Sequence, residues 1–506
     1  MIDNDNDDGL GHRHLLGTAG IGQPGSRPGF RVRIVAPASW ATTKSGQIIV
    51  STLVNLLCRQ VSVVCHIEID MPSVSAHILM PDGSMFARFS DAVAALPRWA
   101  VDNKVTLSFC CSDAPPDFTV FVGGSSGHAA GRAITVLGDG WRAWVGDPAH
   151  SPTNVRPTSD NALGPMLAAA LGAGEVFKRH CGLTRGKFLT AATYSLWSGE
   201  TSGHWGAVAD GPSVDRCAIP PFFLMGAGAV GNDVAYILGY LMVSPYAVLV
   251  DSQAYSWTNL NRCLISGWND CTHDKVESVA RFLGACGIDS FPFRGTVKEF
   301  VAAPWTGLRD DVNKDVGDLK FGIVLSCVDN SLARHDIQGL APTLLLGGSS
   351  LGLQAKTQYY SGCSGAPCLA CFHPVEPNAE RFADLKQQLT ALDMEARRAF
   401  LIANKLDVDA VERYLRDPDC GGFGEAALRD FVTAPPDEFS VSFVSLGSAL
   451  LLVASLLRRT VFAHAARARE DFSTLNFLNG NLHDHAVAAD DGCQRHCQLS
   501  RRIGAD

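Results

Sequence analysis

Residues 221–251 read PFFLMGAGAVGNDVAYILGYLMVSPYAVLVD. An apolar run leads into Gly226-Ala-Gly228-Ala-Val-Gly231, apolar residues then recur at helical spacing, and a second apolar run, YAVLVD, ends on Asp251. That order is strand, tight turn, helix, strand, the start of a parallel α/β sheet. In such a turn the first glycine permits the sharp bend, the second lets a phosphate approach the backbone, and the third lets helix and strand pack closely. Asp251 lies 20 residues beyond Gly231, placed to accept a ribose hydroxyl. By itself this constellation fits an NAD-dependent oxidoreductase equally well, and a purely structural glycine turn is the plain alternative.

The residues that follow argue against a dinucleotide. Asn259 and Arg262 come eight and eleven residues past Asp251, and Lys275 thirteen past Arg262, ahead of the helical pattern KVESVARFLGA. A diphosphate is held by the glycine turn and the helix N-terminus. A triphosphate whose pyrophosphate is departing concentrates more negative charge and needs more cations and donors. Asn259, Arg262 and Lys275 supply them. A later strand, FGIVLSCVDN (321–330), ends in polar residues where a parallel sheet presents its ligand edge. Asp329 there is placed to hold Mg²⁺ through one carboxylate while phosphate oxygens complete the shell. Each of these residues taken singly reads as a surface charge; the order in which they come is what carries the reading.

GAGAVG, Asp251, NLNR (259–262), Lys275 and CVDN (327–330) with Arg334 resemble the adenylating domain of ubiquitin-activating enzymes. The same set is similar to that of their bacterial relatives, which adenylate the sulfur carriers of thiamine and molybdopterin synthesis. The resemblance covers 221–374 and, loosely, 439–457, where SVSFVSLGSALLL is expected to form a late core strand and helix. It implies that Asp251 binds ribose, that Asn259, Arg262 and Lys275 bind the phosphates, and that Asp329 holds magnesium, with Arg262 and Asp329 catalytic. Gln253 departs from the pattern, because the family usually has a second acidic residue at that position. Two adenylation-like units work as a pair in this family, either as a homodimer or as an inactive half fused to an active one.

The N-terminal half starts with the same rhythm. FRVRIVAP (30–37) reads as a strand, SGQIIVSTLVNLLCRQ (45–60) as a helix and VSVVCHIEI (61–69) as a strand; DFTVFVGG (117–124) adds another strand and GPMLAAALGAGEVFKRH (164–180) another helix. The first strand runs into APASW where its counterpart runs into GAGAVG, so this half is expected to have lost nucleotide binding. The predicted organisation is a tail over 1–28, an inactive adenylation-like domain over 29–210 and an active adenylation domain over 211–506, both α/β and Rossmann-like. Residues 375–438, charged and helical in pattern, read as a small cysteine-bearing insertion. The fused arrangement follows from the degenerate first half.

Sixteen cysteines in a chain with no exported start read as reduced thiols, a few of them recruited for chemistry. Cys368-x-x-Cys371 is half of a zinc knuckle, and Cys493 with Cys497 is the best second pair. The resemblance implies such a structural site from two distant pairs. The longer second spacing leaves His496 and Cys363 as alternative ligands. Cys420, in DPDCGGFGE, is followed by two glycines that leave the backbone open. Enzymes of the resembling family that proceed to a thioester place their catalytic cysteine between the same landmarks. Asp417, Asp419 and Glu425 nearby would raise its pKa and argue for a structural loop cysteine instead.

Composition bounds the rest. The chain has 506 residues, 46% of them apolar and 18% charged, with mean hydropathy +0.09, a globular balance sized for several domains. Its 42 basic and 51 acidic side chains leave a net charge of −9, which argues against a nucleic-acid partner. The acidic start MIDNDNDDGLGHRH is unlike a signal peptide, and the uncharged stretch 440–457 is interrupted by serines, which favours a buried strand and helix over a membrane span. A cytoplasmic location is expected. The functional expectation is ATP-dependent adenylation of a ubiquitin-like protein's C-terminus, thioester formation on Cys420, and transfer to a conjugating enzyme. Compact bacterial proteins of this kind are linked to antiviral defence. The alternatives are sulfur-carrier adenylation without a thioester, nicotinamide chemistry, and a scaffold that binds the ubiquitin-like partner without catalysis.

Overall fold

A computed structural model describes residues 28–487 apart from 110–114, 125–131, 184–187, 313–320, 361–366, 370–378, 417–426, 429–440, 466–471 and a few single positions. Two eight-stranded sheets organise it. The first contains β1 (Phe30–Val35), β2 (Val64–Asp70), β3 (Thr106–Ser108), β4 (Phe118–Val122), β5 (Ala133–Asp139), β6 (Arg142–Gly146), β7 (Ala191–Ser195) and β8 (Thr201–Ser202). The second contains β9 (Phe222–Met225), β10 (Tyr246–Asp251), β11 (Asp289–Arg294), β12 (Ile323–Ser326), β13 (Leu344–Leu351), β14 (Gln354–Tyr360), β15 (Phe472–Asn476) and β16 (Asn481–His485).

Their spatial orders are β3-β2-β1-β4-β5-β6-β7-β8 and β11-β10-β9-β12-β13-β14-β15-β16, so each strand of the first sheet has its counterpart eight numbers later. The pairings match too. In each sheet the first five strands in spatial order pair in parallel, and the last three are added antiparallel. The chain therefore builds one α/β topology twice.

The helices repeat with the strands. In the first half α1 (Lys44–Cys58) joins β1 to β2, α2 (Phe89–Val101) joins β2 to β3, and α3 (Leu163–Cys181) lies between β6 and β7. In the second half α4 (Ala229–Tyr240) and α5 (Lys275–Ala285) take the places of α1 and α2; α6 (Val297–Ala302) and α7 (Ser331–Gly339) follow. After α8 (Ala379–Ala391), α9 (Met394–Ala403) and α10 (Val408–Arg416) comes α11 (Ser442–Arg459), the counterpart of α3. Equivalent helices pack on each other across the halves. Thr52 and Tyr236 hydroxyls lie 2.9 Å apart between α1 and α4, and Phe177 and Phe443 rings lie 5.5 Å apart between α3 and α11. One hydrophobic core runs through both sheets, which explains why α1, α3 and α11 are buried on nearly every side and read as apolar all round.

The stretch expected as a late strand followed by a helix is one helix, α11, starting at Ser442. Its serines recur at 442, 445 and 448, a helical spacing, and bond to nearby carbonyls: Ser445 Oγ donates to Ser442 O and Ser448 Oγ to Lys356 O. The β-branched residues around them suggested a strand, yet packing between two cores selects the helix. α11 is the one described helix long and apolar enough to cross a membrane, and 94% of that stretch is buried within the fold.

The outer faces of the two sheets differ. In the second half α6 sets Phe300 against Phe223 and Phe293, with Phe321 beside Phe223. In the first half β3 reaches β4 through residues 109–117, and the corresponding face carries Arg31 and Arg33 on either side of the buried Glu68, at 2.5 and 2.8 Å. Residues Phe372–Glu438 make a separate compact unit with its own core of Phe382, Leu385, Leu389, Leu401, Val411, Tyr414 and Leu428. Arg397 pairs with Glu412 at 3.1 Å within it.

Candidate active site

The chain leaves β9 toward β10 and β11 on one side and returns to β12 on the other, so a crevice opens at the C-terminal ends of β9 and β12, where parallel sheets bind ligands. The glycine turn lies there. Gly226 has φ +96°, and a Cβ on it would come within 2.9 Å of the Cys327 carbonyl carbon at the end of β12. A Cβ on Gly231 would lie 1.9 Å from the Gly226 carbonyl oxygen. These two glycines let the turn close against β12 and against its own helix. Gly228 is different: a Cβ there would have nothing within 4 Å. It faces open space at the N-terminus of α4, which is what a phosphate approaching the helix requires.

Asp251, at the end of β10, fixes the turn. Its Oδ2 accepts the Ala227 N–H at 2.7 Å and its Oδ1 accepts the Gln253 N–H at 2.8 Å. Gln253 carries its amide to Lys275, whose Nζ donates to Gln253 Oε1 at 2.6 Å; the Lys275 N–H also donates to the Gln253 carbonyl at 3.1 Å. Lys275 is buried at the start of α5. The residue that departs from the resembling pattern is thus the one that anchors the lysine.

Asn259 and Arg262 lie on the irregular segment between Asp251 and Lys275. Asn259 Oδ1 accepts from Ser256 N and Oγ and closes a short 3₁₀ turn; Arg262 donates to the Thr258 carbonyl at 3.0 Å and to Asn261 Oδ1 at 2.9 Å. Among the described residues, the side-chain partners of Asn259 and Arg262 lie within the segment itself rather than on the glycine turn. Two residues not singled out in the sequence hold the segment in place. Asn232 donates to Tyr255 OH and Ser266 Oγ and accepts the Ile265 N–H, and Asp233 Oδ1 accepts the Leu264 N–H at 3.3 Å. Their sequence signal is a polar pair directly after Gly231 on an otherwise apolar helix. Burial raises the Asp233 carboxyl well above the ordinary range, opposed by the Leu264 amide, Ser445 and the Arg59 charge.

Asp329 is exposed just beyond β12. Arg334 Nε donates to the Val328 carbonyl at 3.0 Å; burial lowers its pKa, and Tyr360 and Asp329 nearby act the other way. Because Gly226 abuts Cys327 and Val328, the turn lies beside the segment that carries Asp329. A single exposed carboxylate is a donor that magnesium takes together with phosphate oxygens at a nucleotide site.

The described residues of the first half differ at the matching sheet end. Ala36 N–H donates to the Asp70 carbonyl as Gly226 N–H donates to that of Val250, so Ala36 stands where Gly226 does and Met71 where Asp251 does. Trp40 fills the crevice: it is 2% exposed, and a Cβ on Gly123 would sit 2.0 Å from its Nε1.

Of the cysteines singled out, Cys368 is buried on a segment tied to α7 by Leu369 N–H donating to Gln338 Oε1. Cys363, Cys371, Cys420, Cys493 and Cys497 lie outside the described residues, as do His496, Asp417, Asp419 and Glu425. Among the described residues no group of three or more His, Cys, Asp or Glu side chains is arranged to hold a metal ion. Near the site, burial pushes Cys327 up, Cys263 to about 11 and Cys271 to about 12, so these thiols stay protonated at neutral pH.

The ThiF family matches residues 221–494, and the BilD N-terminal domain matches residues 31–195. The bacterial E1-like protein BilD of Collimonas sp. (strain OK412) is 29% identical over 226 residues, which is 42% of this chain and 45% of that protein, so the match spans less than half of the relative's length. Among solved structures, E. coli MccB with ATP is similar at 11% identity and TM-score 0.34, covering 55% of this chain and 65% of that one. The microcin C7 biosynthetic enzyme MccB in complex with N-formylated MccA gives 12% identity and TM-score 0.34 over 55% and 67%.

Proposed function

We propose, from the premise that this chain belongs to the ThiF family, that its C-terminal half uses ATP to adenylate the C-terminal carboxylate of a ubiquitin-like protein. The observation that carries the reading is the glycine turn. It is fixed by Asp251, open at Gly228, linked through Asp251 and Gln253 to Lys275, and lies beside the segment that carries Asp329. A carboxylate oxygen of the substrate attacks the α-phosphorus, the bond from that phosphorus to the bridging oxygen breaks, and pyrophosphate leaves. The backbone at Gly228 and the start of α4 receive phosphate, and Arg262, Lys275 and Asn259 stabilise the charge that develops on the departing group. Asp329 would hold Mg²⁺, which supplies neutralising charge across the phosphates. Asp251 keeps further lone pairs on both oxygens for a ribose hydroxyl while it holds the turn. Nicotinamide chemistry requires neither Arg262 nor Lys275.

The second step of the proposal is acyl transfer to Cys420. Its thiolate attacks the acyl carbon, AMP leaves, and the thioester passes to a conjugating enzyme. The raised pKa of the thiols nearest the turn supports a nucleophile from elsewhere in the chain. Structural zinc on Cys368, Cys371, Cys493 and Cys497 is part of the same reading and is checked by the metal content of the purified chain. The sixteen cysteines, read as reduced thiols, support a reducing, cytoplasmic setting. Within one chain the two halves form the pair that the resembling enzymes require.

Exchange of labelled pyrophosphate into ATP, in the presence of a ubiquitin-like protein, tests the first step. Asp329→Ala is expected to lower exchange at least about a hundredfold, as removal of a charge-stabilising group does. Full exchange in that variant removes Asp329 from the role. Cys420→Ala is expected to keep exchange and lose the thiol-reducible conjugate; a conjugate that persists assigns the thioester to another cysteine.

A further inference from the structure

The segment from 252 to 274, which carries Asn259 and Arg262 and ends at Lys275, contains nothing longer than two 3₁₀ turns. Its backbone carbonyls must find partners elsewhere. Three of them find partners on α1 and the residue that follows it, in the half that has no glycine turn. Asn55 Nδ2 donates to the Leu264 carbonyl at 2.9 Å. Arg59 donates from one terminal nitrogen to the Leu260 carbonyl at 2.6 Å, and from the other to the carbonyls of Ser266 at 2.9 Å and Leu264 at 3.3 Å. Arg59 Nε donates to Asn55 Oδ1 at 2.9 Å, so the two side chains are locked together. Arg59 is wholly buried, with its guanidinium 5.4 Å from the Trp99 ring centroid.

Burying a guanidinium is costly unless its donors are satisfied, and a packing role at this interface would be met by an apolar side chain. A planar fork reaching three carbonyls of one loop fixes the shape of that loop. The opposite side of the loop is held through its amides, by Asn232 and Asp233 of the nucleotide-binding half. Leu264 is gripped from both sides: its N–H goes to Asp233, its carbonyl to Asn55 and Arg59.

We infer that Asn55 and Arg59 are positioning residues, through which the half without a nucleotide crevice sets the geometry of the segment that grips the triphosphate in the other half. The inference rests on the reading of Asn259, Arg262 and Lys275 as phosphate ligands. It concerns a mechanical role of the first half, distinct from any group that half extends into the crevice.

The test compares three full-chain variants: Asn55→Ala, Arg59→Lys and Thr52→Val. Thr52 bonds Tyr236 across the same interface and touches no carbonyl of the segment, so Thr52→Val measures the effect of weakening the interface alone. Two readouts are taken: the dissociation constant of MgATP by calorimetry, and amide hydrogen exchange over 260–266 without nucleotide. Asn55→Ala and Arg59→Lys are expected to weaken MgATP about tenfold or more and to speed exchange over 260–266 while leaving α4 protected. Thr52→Val is expected to do neither. Should Arg59→Lys not fold, Asn55→Ala carries the comparison, since it removes one donor to Leu264 and the partner of Arg59 Nε. Unchanged exchange over 260–266 in Asn55→Ala, or equal weakening of MgATP by Thr52→Val, overturns the inference. If the wild-type chain itself binds no MgATP, the ATP reading fails, and the exchange measurement still decides whether these side chains hold the segment.

Discussion

Two glycines of one turn meet different surroundings and give opposite predictions. Gly231→Ala places a Cβ against the Gly226 carbonyl and is expected to cost about 1–3 kcal/mol or more, because backbone rather than a movable side chain blocks it. Gly228→Val places its side chain in open space, with extended backbone at φ −71° and ψ −156°. It is expected to leave thermal unfolding within a degree or two and to weaken ATP binding by about tenfold or more. Scanning calorimetry and nucleotide titration of both variants separate the two effects. At this scale the sequence was informative about residue types and silent about their bonds. The spacing of Asp251 from the glycines was legible because helix length fixes it. Its bond to the Ala227 amide was not, since that depends on the register of β10 against β9. Gln253 read as a missing acid; in the fold it is the partner of Lys275.

At the scale of elements, apolar runs and helical periodicity were legible: β1, β9, β10 and β12, and α1, α3 and α4 fall where those patterns put them. The antiparallel strands β6–β8 and β14–β16 were not, because they owe their pairing to the sheet already formed rather than to a pattern of their own. α11 was misread at its start because Val441 and Val444 carry β propensity, which packing between two cores overrides. α4 carries a further prediction. Burial raises the Asp233 carboxyl, so the folded state keeps a proton that the unfolded state releases near the ordinary carboxylate range. The stability this contributes is full below that range and is lost as pH rises toward the folded pKa. Asp233→Asn keeps an oxygen acceptor for the Leu264 N–H without the ionisation. Its melting temperature is expected to match wild type near pH 4 and to exceed it by a few degrees at pH 8. A gap that shrinks with rising pH would mean that Asp233 is charged in the folded state, paired with Arg59.

For the whole molecule, shared rhythm in the sequence pointed to two related α/β units; what the fold adds is the strand-by-strand repetition of one order, which was not legible because the halves have little residue identity in common. Composition excluded broad classes and left the duplication unseen. The fold adds how the two halves differ at the matching sheet end: Trp40 is buried there in the first half, and Ala36 and Met71 stand where Gly226 and Asp251 do in the second. One half is left with the crevice, while the other contributes Asn55 and Arg59 from behind. The most direct measurement is equilibrium binding of MgATP, NADH and FAD to the full chain and to Lys275→Met. The account predicts saturable binding of one MgATP per chain, weakened about tenfold or more by Lys275→Met, and no binding of the two dinucleotides. Tight binding of NADH or FAD that Lys275→Met leaves unchanged would contradict it.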